Sequence, residues 1–203
     1  MDKETQEDGK ILLIIDKSEW YSRYAQCFSA GQAARLPEHR SWDHQIPLQD
    51  PNATIPAGAI YKTTWEEDEA IRKYLHENIT TGKVQCPRTA ATAPILFVCK
   101  KDASLRLCVA YRSLNRLTIP NKYALLVIKE LLDKTWGGKW FIRLDPKNSY
   151  NLIRIAVGDE WQKAFRTKQG IFEYTVMLFG LTNTPASFHK MIDTIFKDKE
   201  GCI

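Results

Sequence analysis

Two apolar, β-prone runs, "APILFVCKK" at 93–101 and "LRLCVAYR" at 105–112, are separated only by the polar "DAS". Runs this close together predict an antiparallel hairpin turning at Asp102–Ser104. A hairpin is not stable alone: its edges need further strands and its apolar face needs a helix or a second layer. The remaining sequence must therefore supply both.

It supplies both. Thr64 opens "TWEEDEAIRKYLHEN" with Glu67 three residues on, the pattern of a capping box. Acids at 66–68 suit the first turn of a helix, and Ala70, Ile71, Tyr74 and Leu75 recur at helical spacing up to a stop at Gly82. "ALLVIKELLDKTW" (124–136) reads as a second helix closing at Gly137-Gly138. "WFIRLD" and "YNLIRIAV" read as strands flanking a polar turn, and "WQKAFRT" pairs with "FEYTVML" across Lys168-Gln169-Gly170. "PASFHKMIDTIFKDK" (185–199) is a helix with Pro185 at its first position, where a missing N–H costs nothing.

The N-terminal third is less regular. Residues 1–10 form a polar lead expected to be disordered, "ILLII" (11–15) a short buried strand, and 18–34 a helix. "LPEHRSWDHQIPLQDPNATIPAG" (36–58) holds four prolines and reads as an extended connector lying on another surface. The order helix, hairpin, helix, strands, hairpin, helix is α+β, not alternating βαβ.

Composition narrows the function classes. No apolar run reaches about 18 residues, and the charged N-terminus lacks an apolar segment after a basic start, so neither a membrane span nor secretion is expected. Five cysteines show no C-x-x-C pair, and none of the four histidines stands at ligand spacing to one. No zinc site is expected, and reduced thiols fit an intracellular protein, cytoplasmic or nuclear. Residues 1–98 carry 11 Lys and Arg against 14 Asp and Glu, whereas 99–203 carry 18 against 10. That basic half suits a polyanion such as nucleic acid, and equally a solvated surface.

Three stretches together carry a family likeness: "APILFVCKKDASLRLCVAYRSLN", "WFIRLDPKNSYNLIRIAVGDEWQKAFRT" and "GIFEYTVMLFGLTNTPASF". In this order and spacing they resemble the reverse transcriptase of gypsy-type long-terminal-repeat retrotransposons, over roughly residues 20–198. The resemblance implies a right-hand polymerase: a lead at 1–17, a polyprotein connector at 18–62, fingers at 63–139 and a partial palm at 140–203. It implies an RNA-directed DNA polymerase, a nucleotidyltransferase that extends a primer on an RNA or DNA template with deoxynucleotides, using two Mg²⁺ ions held by palm carboxylates.

Each site residue has a plain reading beside the one the resemblance implies. Asp145 matches the first palm carboxylate, a catalytic metal ligand; alone, an "LD" would be a turn cap. Tyr150 matches the aromatic gate whose ring excludes a ribose 2′-hydroxyl; otherwise it is a core tyrosine. Lys100 and Arg106 match residues that hold the triphosphate, Arg by its bidentate fork, or they are surface charge on a hairpin. Phe179 and Gly180 match the loop under the nucleotide, or an ordinary strand-to-helix turn.

The likeness is incomplete. These 203 residues contain no Tyr-x-Asp-Asp, the motif that brings the other two palm carboxylates, so the chain is expected to lack polymerase activity alone. Ala110, Ala103, Leu178 and Ala124 replace the Asp, Gly and two Pro residues usual in the family, and Pro146 follows Asp145 directly. The alternatives are a non-catalytic nucleic-acid-binding module and a non-functional transposon relic.

Overall fold

The computed structural model describes residues 6–7, 10–11, 29–87, 92–99, 105–123, 133, 136–139 and 146–197. The chain divides into two units, Met1–Arg35 and Leu36–Ile203. In the first, β1 (Gln6–Glu7) pairs antiparallel with β2 (Lys10–Ile11), where a disordered lead was expected. A short helix, α1 (Ala30–Ala34), follows; the remainder of the strand and helix expected at 11–15 and 18–34 lies outside the described residues.

The second unit is built on the expected helix and hairpin. Helix α2 (Trp65–Thr80) starts at a complete capping box: the Thr64 side chain accepts the Glu67 N–H, and the Glu67 carboxylate accepts the Thr64 N–H. It stops where Gly82 turns to φ +73°, in the left-handed region that side chains avoid. Strands β4 (Ala93–Cys99) and β5 (Leu105–Val109) form the hairpin in the register Ile95↔Val109 to Cys99↔Leu105. The turn at 100–104 lies outside the described residues.

With β3 (Val84–Gln85), β6 (Phe165–Thr167) and β7 (Gly170–Tyr174) they make a five-stranded sheet in the order β3-β7-β6-β4-β5. The β6–β7 pair turns at Lys168 and Gln169 as expected. A parallel pairing of β4 with β6, Ala93↔Phe165 and Pro94↔Arg166, joins the two hairpins into one sheet. No periodicity foretells that join. Ile71 and Leu75, one turn apart on α2, cover the sheet over Val84, Ile95, Phe165 and Tyr174, and the Phe165 and Tyr174 rings stack with centroids 4.6 Å apart. Each such side chain contributes about 1.5–3 kcal/mol on burial.

Several segments differ from the sequence-based expectation. Strand β5 ends at Val109, and Arg112–Leu117 is a helix, α3, whose Leu114 is buried with Tyr111 against Ile46 and Ile55 of the connector. Ser149–Leu152 and Glu160–Lys163 are 3₁₀ turns that replace the starts of the strands expected at 150–157 and 161–167. The first follows Asn148, whose φ of +52° breaks an extended path, and the Asn151 N–H closes onto the Asn148 carbonyl at 2.8 Å. Residues 153–156, expected to be strand, make isolated bridges only, to His44 of the connector and to Val176. The His44 N–H donates to the Arg154 carbonyl and the Ala156 N–H to the His44 carbonyl, while the Ile155 and Met177 N–H groups donate to the Thr175 and Ile153 carbonyls. Ile153, Ile155, Met177 and Met191 form the core of this region.

The last helix, α4 (Thr184–Phe196), begins one residue before Pro185. Asn183 stands at its cap position, but its side chain makes no cap bond because both ends of the amide are committed elsewhere. Oδ1 accepts the Asn121 N–H and Nδ2 donates to the Ile119 carbonyl. The helix expected at 124–136, apart from Asp133, Trp136 and the closing glycines, and the strand at 140–145 lie outside the described residues. Among the described residues no helix is long and apolar enough to cross a membrane.

Candidate functional site

Tyr150 and the adjacent pair Phe179–Gly180 are far enough apart in sequence that only the fold can join them. Tyr150 rides on the 3₁₀ turn Ser149–Leu152, and its ring meets the loop between β7 and α4. There it meets Phe179 with centroids 4.5 Å apart at 56°, and Phe188 of α4 with centroids 5.4 Å apart, edge to face. Such tilted contacts suit the quadrupoles of the rings. Tyr150 and Phe188 are half-buried against the Ile153 core, but Phe179 is 71% exposed. The cluster is thus anchored on one side and open on the other.

Gly180 follows at φ +94°, a conformation that disfavours any side chain although a Cβ there would meet only ordinary contacts. The turn is held from α3. Asn115 Nδ2 donates to the Gly180 carbonyl at 2.7 Å, and Asn115 Oδ1 accepts the Thr182 N–H at 3.0 Å. One amide therefore clamps both sides of the turn that carries Phe179. Asn115 and Asn183 escaped sequence reasoning, as did Phe188; the run "RSLN" after a strand, with Asn placed to reach a neighbouring loop, was the available signal for Asn115.

Two buried basic side chains are hydrogen-bonded. Lys163 is fully buried and its Nζ donates to the Val176 carbonyl at 2.5 Å, and burial pushes its pKa well below the ordinary lysine value. His44, also buried, shares a 2.8 Å hydrogen bond between Nδ1 and Ser187 Oγ of α4.

Arg106 sits apart from this cluster, on the outward face of β5 opposite Val98. It is exposed and has no hydrogen-bond or ion-pair partner among the described residues. Lys100 and Asp145 lie outside the described residues. Among those described, no group of three or more His, Cys, Asp or Glu side chains could hold a metal ion. The described arrangement offers an open aromatic surface beside a close-approach backbone turn, and an exposed cation on the hairpin. It can pack a flat ring or a sugar and attract phosphate.

Residues 98–202 match the model of the family described as reverse transcriptase (RNA-dependent DNA polymerase). The chain is 35% identical over 191 residues to the Transposon Tf2-3 and Tf2-7 polyproteins of Schizosaccharomyces pombe (strain 972 / ATCC 24843), an alignment covering 92% of this chain. It spans 14% of the length of those polyproteins. Its fold resembles the prototype foamy virus protease-reverse transcriptase, with a TM-score of 0.65 at 17% identity over 91% of this chain and 25% of that one. The foamy viral protease-reverse transcriptase in complex with an RNA/DNA hybrid superposes equally well, with a TM-score of 0.65 at 16% identity, over 93% of this chain and 26% of that one.

Proposed function

We propose, from the premise that this chain belongs to the reverse transcriptase (RNA-dependent DNA polymerase) family, that it forms the nucleotide-holding front of a retrotransposon polymerase of the gypsy type. Residues 63–139 act as fingers and 140–203 as the first part of the palm. The observation that carries this reading is the contact of Tyr150 with Phe179 on a turn clamped by Asn115. It gathers into one surface two residues assigned to the nucleotide from separate motifs.

In this reading Tyr150 packs against the sugar of an incoming deoxynucleotide, leaving no room for a 2′-hydroxyl. Phe179 extends the apolar floor, and Gly180 lets the backbone approach the base. Arg106, with Lys100, attracts the triphosphate. Asp145 is the residue proposed to hold the divalent ion that the family generally uses, which when bound neutralises phosphate charge. The template partner is an RNA/DNA or DNA duplex, the class held by the foamy viral relatives.

The test is a titration of the 203-residue chain against a fluorescent RNA/DNA hybrid at rising salt. Contacts to a few phosphates release counterions, so the log–log slope should be a few units and the dissociation constant roughly micromolar or weaker. Replacing Lys100, Lys101 and Arg106 together by Ala should weaken binding and flatten the slope. No binding at low salt, or binding untouched by the triple substitution, overturns the template assignment. With one of three palm carboxylates, the 203 residues alone should not extend a primer; template-dependent incorporation abolished by Asp145→Ala would show otherwise.

A further inference from the structure

Away from the aromatic cluster, a cavity of about 20 Å³ lies where the connector crosses the base of β4. Ile55, Gly58, Thr92, Ala110, Tyr111 and Gln162 are among the residues that wall it. Thr92 is 1% exposed and Gln162 7%. Among the described residues, Thr92 Oγ1 and Gln162 Oε1 are the two buried side-chain polar atoms with no hydrogen-bond partner, and both residues line this one cavity. Buried polar atoms are almost always satisfied, so two orphans on one wall point to a shared ligand.

Two neighbouring groups are already engaged. The Thr92 carbonyl already accepts the Gly58 N–H at 2.6 Å, and the Tyr111 hydroxyl donates to the Lys163 carbonyl. Turning the Gln162 amide over would set its oxygen against Asp159, whose carboxylate now accepts Nε2 at 3.1 Å. Nor can the walls close. A Cβ on Gly58 would fall 2.3 Å from Pro94 Cδ, so connector and strand are already in contact, and Ala110 is fixed by its N–H bond to the Pro94 carbonyl at 2.9 Å.

We propose that the cavity is a binding site for one internal water molecule. A single water needs about 10–15 Å³ and two or more polar partners; the cavity is large enough, and two of its lining residues carry unpartnered polar atoms. The water donates one proton to Gln162 Oε1 and shares a hydrogen bond with Thr92 Oγ1. It thereby fastens the 3₁₀ turn Glu160–Lys163 to the start of β4, beside the connector. Its role is to seal the joint on which the sheet and the connector meet.

The experiment is water-selective NMR on the 203-residue chain, with the Ile55 methyls and the Gln162 side-chain amide assigned. A long-lived internal water gives NOE and ROE cross-peaks of opposite sign to both groups. Silence at both in the unsubstituted chain overturns the proposal, whatever the variants do. Thr92→Val and Gln162→Met, singly and together, then test the bridge by urea unfolding. Groups linked through one water should be coupled, so the double substitution should depart from additivity by at least about twofold in the unfolding constant. Additive losses overturn the bridge.

Discussion

The ring of Tyr150 lies 4.5 Å, centroid to centroid, from that of Phe179, although 29 positions of chain separate them and neither belongs to the sheet. Phe179 is held at the surface by the backbone that follows it, and that asymmetry separates a binding role from a folding role. Phe179→Ala should lower unfolding stability by no more than about 0.5 kcal/mol, as for most exposed positions. Affinity for a deoxynucleoside triphosphate should fall several-fold, read by fluorescence titration of the same samples. Loss of stability with unchanged nucleotide affinity would move Phe179 from the site to the scaffold.

Asn115 is the next test, because its amide makes two bonds to one turn. Asn115→Ala removes both and should cost about 1 kcal/mol at this partly open position. Asn115→Asp should be worse: it keeps the acceptor for the Thr182 N–H but sets a second oxygen against the Gly180 carbonyl. Chemical denaturation of the two variants should order them Ala above Asp.

The fold carries an acid-sensitive joint at His44. Burial, and secondarily the charge of Lys163, pushes its pKa down from 6.5 to about 3. The folded protein therefore holds His44 neutral while the unfolded chain takes up a proton near pH 6.5. This stabilisation is complete above pH 6.5 and is lost progressively as pH falls toward 3, by at most about 1.4 kcal/mol per unit. Urea unfolding at pH 7, 6 and 5 should show the decline, and His44→Gln should flatten it between pH 6.5 and 5.

The start of α2 should behave locally. Thr64→Ala removes one arm of the capping box and should cost about 1 kcal/mol, while Thr64→Ser should be near neutral. Circular dichroism during urea unfolding reads both. A large loss from Thr64→Ser would mean that the methyl group, not the hydroxyl, matters.

What the sequence determined by itself was whatever depends on near neighbours. The capping box at Thr64 and Glu67, the hairpin of 93–99 with 105–109 and the turn at Lys168 and Gln169 were legible because each rests on residues within one short segment. So was the pairing of separate motifs into one family pattern. The tertiary structure alone decided the rest. The parallel join of β4 to β6, the interruption of the strand after Asn148, and the engagement of Asn183 with Asn121 and Ile119 in place of its own helix all depend on chain that is distant in sequence. The meeting of Tyr150, Phe179 and Phe188 belongs with them, since ring contacts follow from where the backbone is carried and leave no period to read. Local propensity chooses among helix, turn and strand; competition for backbone partners and buried area, settled only on packing, chooses which of those choices survive.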